Sequence, residues 1–181
     1  MQREGPQARK GHPLDVKPLS SDDRFQQSKH EVFPLPLKAA YVASSGGGKS
    51  SAAIAAIMHL WPIWTRVVIF SRTASVDPAT DELKRKIKQK LESTGIDPSD
   101  PEEEYVFESL EHLPRVLQRQ TELIKEERSL GKKKLSQLAI LVDDQLGHMR
   151  YDKHLDAVAS RGRHVGTSLF LCSQSHRGLS T

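Results

Sequence analysis

The sharpest constraint in this sequence is a glycine-rich turn set between two segments of different character. Before it runs Leu37-Lys38-Ala39-Ala40-Tyr41-Val42, apolar enough to read as a buried strand. After it, residues 49–60 carry Ala, Ile, Met and Ser with no breaker until Pro62, a helix of small side chains able to lie close on a sheet. The turn itself, Ala43-Ser44-Ser45-Gly46-Gly47-Gly48-Lys49-Ser50, meets the spacing [AG]-x-x-x-x-G-K-[ST], with alanine in place of the commoner first glycine. A methyl group is tolerated there where the turn keeps φ negative.

That context gives the pattern its chemistry. Gly46, Gly47 and Gly48 let the backbone approach a phosphate closely, while the N–H groups from Ser45 onward and the helix N-terminus supply a positive cradle. Lys49 is placed to reach the β- and γ-phosphates of ATP, Ser50 to set its hydroxyl on Mg²⁺, and Ser51 to meet the α-phosphate. A Gly/Ser-rich turn that merely preceded a lysine would not also sit between a buried strand and a small-residue helix.

Three further runs read as strands: Arg66-Val67-Val68-Ile69-Phe70-Ser71, Leu138-Ala139-Ile140-Leu141-Val142 and Thr167-Ser168-Leu169-Phe170-Leu171-Cys172, the last two as central strands buried on both faces. Residues 73–137 are charged and mostly helical in pattern, with helices expected over 81–92 and 110–130 and a short strand over 105–107. Strands alternating with helices imply an α/β fold with a parallel sheet and right-handed crossovers. A chain of 181 residues suits one domain with a sizeable core, or one domain plus a tail. Residues 1–31 are polar and lack an apolar period, so they read as a disordered tail, and 32–181 as the domain.

Asp143 follows an apolar run, which puts a carboxylate at the C-terminal end of a strand, where ligands of open α/β sheets bind. It is the candidate for holding Mg²⁺ through water, and Asp144 for orienting or deprotonating the attacking water. A pair of acids capping a turn is the alternative when the segment is read alone. Gln174 ends the last apolar run and is able to hydrogen-bond a γ-phosphate or the water; a surface glutamine is the alternative. Arg161 and Arg163, in Ser160-Arg161-Gly162-Arg163-His164, form a basic cluster suited to DNA, to a neighbouring subunit's phosphate, or simply to solvent. Lys132-Lys133-Lys134 and the lysines of 84–90 read either as contacts to a phosphate backbone or as solvated faces.

The remaining composition narrows the setting. A formal charge of +4 permits a polyanionic partner without requiring one. Cys172 is the only cysteine, which removes an intrachain disulfide and fits a reducing cytoplasmic or nuclear setting. Although Cys172 and His176 have a ligand-like spacing, the cysteine lies in an apolar run and reads as buried and structural. Trp61 and Trp64 read as packing residues at a helix end. The most apolar stretch, 52–64, is interrupted by His59 and Pro62, so no membrane span is expected.

P-loops serve many reactions, and the later motifs narrow the choice. The succession of this P-loop, then Phe70-Ser71-Arg72-Thr73-Ala74-Ser75-Val76-Asp77-Pro78, then 138–144, then Gly162-Arg163-His164 leading to Gln174, resembles the poxvirus-type genome-packaging ATPases of the FtsK/HerA superfamily. The resemblance covers 36–181. It implies a three-layer α/β/α P-loop NTPase whose mainly parallel sheet has the additional-strand order, with the Gln174 strand between the P-loop strand and the Asp143 strand. It also implies Lys49 and Ser50 as phosphate and Mg²⁺ ligands, Asp143 as the metal-coordinating acid, Asp144 as the catalytic acid and Gln174 as the sensor. The expected activity is ATP hydrolysis coupled to packaging of double-stranded DNA by a homo-oligomeric ring on a capsid portal. The implied setting is the virus assembly site in host cytoplasm or nucleus, or the virion.

In that family the chain continues to a further strand and an arginine acting on the γ-phosphate, whereas Thr181 stands seven residues after Gln174. The expectation is a domain short of the family pattern at its C-terminal end. It is a fragment, a chain in which Arg163 or Arg177 substitutes, or one that binds ATP and hydrolyses it poorly, as a virus-derived assembly protein would. A P-loop kinase is the other enzymatic reading, for which the sequence shows no arginine lid.

Overall fold

The computed structural model describes residues 24–27, 35–143, 145 and 153–174. Five strands, β1 (Lys38–Val42), β2 (Arg66–Ser71), β3 (Val106–Phe107), β4 (Leu138–Asp143) and β5 (Thr167–Ser173), form one sheet in the order β1-β5-β4-β2-β3. Every pairing is parallel. The chain is therefore α/β, and β5 lies between β1 and β4.

Among the described residues four helices flank the sheet: α1 (Lys49–His59), α2 (Pro78–Ser93), α3 (Leu113–Ser129) and α4 (Lys153–Arg161). Side chains alternate across a strand, and the two faces bury different partners. Val67, Ile69, Ala139, Leu141, Phe170 and Cys172 pack with α1 and α2 through Ile57 and Leu83. Val68, Phe70, Ile140, Val142 and Leu169 pack with α3 and α4 through Leu113 and Val158. This two-sided cover, compatible with three α/β/α layers, is why β2, β4 and β5 are almost continuously apolar.

Local chemistry sets the element ends. Asp77 caps α2 by accepting a hydrogen bond from Ala79 N–H at 2.9 Å, with Pro78 at the first helical position, so α2 begins before residue 81. The helix expected over 110–130 is split, because a 3₁₀ turn at Leu110–His112 precedes α3 and Pro114 fits only a first turn. At the end of α1 a 3₁₀ turn, Trp61–Ile63, directs Trp64 inward, where its Nε1–H donates to Ile57 O at 3.0 Å. The Trp64 ring meets Phe170 edge-on, with centroids 6.1 Å apart. No sequence expectation covered α4, which has nine residues.

Within the stretch 1–31 read as a polar tail, residues 24–27 are packed against the domain. Phe25 is 1% exposed and packs with Ile124 and Leu135, and Arg24 O accepts a hydrogen bond from Leu135 N–H at 3.0 Å. Opposite Phe25, Gly166 has φ +63°, and a Cβ there would run into the Phe25 ring. Residues 24–27 thus belong with the domain. Among the described residues no helix is long and apolar enough to cross a membrane.

Candidate nucleotide-binding site

β1 turns directly into α1 through the glycine-rich segment, most of which is exposed. Gly46 and Gly48 adopt φ of +74° and +75°, a region that side-chain-bearing residues avoid, and a Cβ at either meets nothing within 4 Å. Gly47 is required for a different reason. A Cβ there would stand 2.7 Å from Cβ of Ala43 and 3.0 Å from Ser44 O. Replacing the commoner first glycine by Ala43 therefore makes the glycine at 47 more necessary.

Gly48 is the N-cap of α1, with no side-chain cap and no acidic residue in the first turn. The leading N–H groups and the positive end of the helix dipole are consequently left for an external anion. Lys49 and Ser50, in that first turn, are half-buried, whereas Ser45 and Ser51 are exposed.

The register of the sheet brings the other candidates to the same edge. Val42 pairs with Ser173, Ala43 N–H donates to Ser173 O at 3.3 Å, and Ser71 pairs with Asp143. The glycine-rich turn, Gln174, Asp143 and Ser71 thus all stand at the carboxyl edge of the sheet, where open α/β sheets bind ligands. By alternation from Ala139 and Leu141, Asp143 falls on the face that carries α1, as do Ser71 and Cys172. Asp143 is 3% exposed, and Gln174 is exposed.

Cys172 links the two halves of this edge. Its Sγ lies 3.7 Å from Lys49 O. Burial pushes its thiol up to about 12, the Asp143 carboxylate adds to that rise, and Lys49 opposes it. Cys172 thus senses an acid on one side and the lysine on the other, and it is a buried, protonated structural thiol.

Asp144 and Arg177 lie outside the described residues. Arg163 is not brought to this edge. It sits in a 3₁₀ turn, Gly162–Val165, that precedes β5, and the seven residues of β5 span roughly 20 Å. Within one chain Arg163 therefore stands at the opposite end of β5 from the glycine-rich turn.

The structure adds residues to which sequence reasoning gave no role. Ser71 Oγ accepts a hydrogen bond from Thr73 N–H at 3.2 Å, and Ala74 O accepts from Lys84 Nζ at 2.6 Å. These bonds hold the loop that follows β2, whose last residue pairs with Asp143. Gln145 is 1% exposed and donates to Glu108 O at 2.8 Å, tying the chain just after Asp143 to the end of β3. Only the hydroxyl at the end of β2, following four apolar residues, signalled any of this in the sequence. A cavity of about 480 Å³ adjoins Ser71 and His112, and another of about 280 Å³ lies by Arg66 and Arg119 at the start of β2. Neither includes the glycine-rich turn.

No protein-family model matches the chain, and no curated protein sequence matches it.

Proposed function

We propose that this chain is an Mg²⁺-dependent ATPase that translocates or packages double-stranded DNA. The observation that carries the reading is the convergence of an uncapped helix N-terminus behind Gly46–Gly48 with the buried Asp143 on the same face and edge of a parallel sheet. Interposition of β5 between β1 and β4 is the order that the resemblance to FtsK/HerA-type packaging ATPases calls for, and it supports that family over P-loop kinases.

The roles follow from the chemistry of the residues. Backbone N–H groups of the turn bind and orient phosphate oxygens, and Lys49 neutralises their charge. Ser50 and Asp143, hard oxygen donors of the kind Mg²⁺ takes, would hold the ion. When bound, the ion draws charge from the phosphate oxygens. Asp144 orients or deprotonates the attacking water, and Gln174 hydrogen-bonds the γ-phosphate or that water. Positioning and electrostatics supply most of the rate. A homo-oligomeric ring on a capsid portal completes the proposal.

ATP turnover by wild type, Lys49→Ala and Asp144→Asn tests this reading. Loss of turnover in both variants, with ATP binding retained by Asp144→Asn, is expected. Turnover unaffected by Asp144→Asn removes that acid from its role, and turnover unaffected by Lys49→Ala removes the whole site.

A further inference from the structure

At the edge of the sheet opposite the glycine-rich turn, two basic segments far apart in sequence become neighbours. Lys132, Lys133 and Lys134 lead into β4, while Arg161 and Arg163 lead into β5, and all five are exposed. The strand starts are joined by Leu138 N–H donating to Gly166 O at 3.0 Å. A Cβ on Gly166 would lie 3.0 Å from Ser136 O, so the two leading turns touch. Arg128, at the end of α3, ties them further by donating from its Nη2 to His164 O at 3.1 Å.

The acids at this edge do not cancel the cations. Glu127 is 5% exposed and occupied internally, accepting from Ser136 N–H at 2.7 Å and pairing with Lys132 Nζ at 3.1 Å. Glu126 and Asp156 are exposed and remain. From this convergence we infer that the turns preceding β4 and β5 form one phosphate-backbone binding surface for duplex DNA, on the edge of the sheet facing away from the nucleotide. Flexible lysines and arginines suit sequence-independent contact with the phosphates of a duplex. The choice of duplex DNA rests on the function proposed above, while the surface rests on the charges themselves. On this assignment Arg163 contacts DNA in its own chain and is not a finger for another copy's nucleotide.

Binding of a short labelled duplex, followed by fluorescence anisotropy between about 50 and 200 mM salt, tests the inference. The variant Lys133→Ala/Lys134→Ala/Arg161→Ala/Arg163→Ala should bind about tenfold or more weakly, with a salt slope shallower by about one per residue removed. Lys133→Arg/Lys134→Arg/Arg163→Lys, which keeps the charge, should bind like wild type, and so should Lys86→Ala/Lys88→Ala on α2. ATP binding measured on the same samples should be unchanged throughout. The inference is overturned if wild type does not bind the duplex, if the quadruple variant binds as wild type does, or if the α2 variant loses the binding. Wild type that binds duplex but not ATP would sink the ATPase reading and leave this surface standing. Wild type that binds ATP but not duplex would do the reverse.

Discussion

At the scale of single residues, the glycine-rich turn is held by three glycines for two reasons, positive φ at 46 and 48 and a steric clash at 47. Gly47→Ala should therefore destabilise the chain by about 1–3 kcal/mol and weaken ATP binding. Adding Ala43→Gly to it should recover part of both, because only the 3.0 Å contact with Ser44 O then remains. Urea unfolding of the single and double variants checks this. Cys172 gives a second prediction at this scale. Its thiol is raised in the fold from the ordinary 9.0 to about 12, so the stabilisation it confers is complete below about pH 9 and is lost as pH rises towards 12. Unfolding titrations from pH 8 upward should show that decline in wild type and a flatter profile in Cys172→Ala.

At the scale of elements, the ends of the helices and the turns before the strands carry the polar bonds that fix the fold. Burial works to raise the Glu127 carboxyl, yet the Ser136 N–H and hydroxyl and the nearby Lys132 outweigh it and hold it below the usual carboxylate range. Glu127→Gln should cost about 1.5–3 kcal/mol near neutral pH. Because a depressed carboxyl stabilises the fold only while ionised, that difference should shrink as pH falls through the folded value, which urea midpoints at falling pH would show. Phe25→Ala should cost about 3–5 kcal/mol if residues 24–27 are part of the core. A tail that merely brushes the surface would give almost no change.

The same elements show what was legible in the sequence. β2, β4 and β5 were readable because burial on both faces demands unbroken apolar runs, and the turn before α1 because few residues tolerate its backbone. Phe25 was hidden, since one aromatic in a polar stretch has no periodicity and its partners, Ile124, Leu135 and Gly166, lie over a hundred residues away or nearly so. α4 is short and its apolar contacts, Leu155 and Val158, are too few to make a pattern. The placement of Asp143 on the same face as α1 also needed the sheet register, because a strand end fixes an edge but the pairing fixes the neighbours.

At the scale of the whole molecule, the sheet sets the glycine-rich turn and Asp143 at its carboxyl edge and a cluster of exposed basic residues at the other, and on the proposed reading phosphate binds at the first. Asp143→Asn should raise the Mg²⁺ concentration needed for half-maximal turnover about 10- to 100-fold, measured in Mg²⁺ titrations of ATPase rate. The most direct test of the account is an equilibrium titration of ATP onto wild type and Lys49→Ala. The account predicts saturable binding to wild type that weakens about tenfold to a hundredfold in the variant, as expected for loss of a charged phosphate contact. Binding of equal strength in both, or none to wild type, would contradict it.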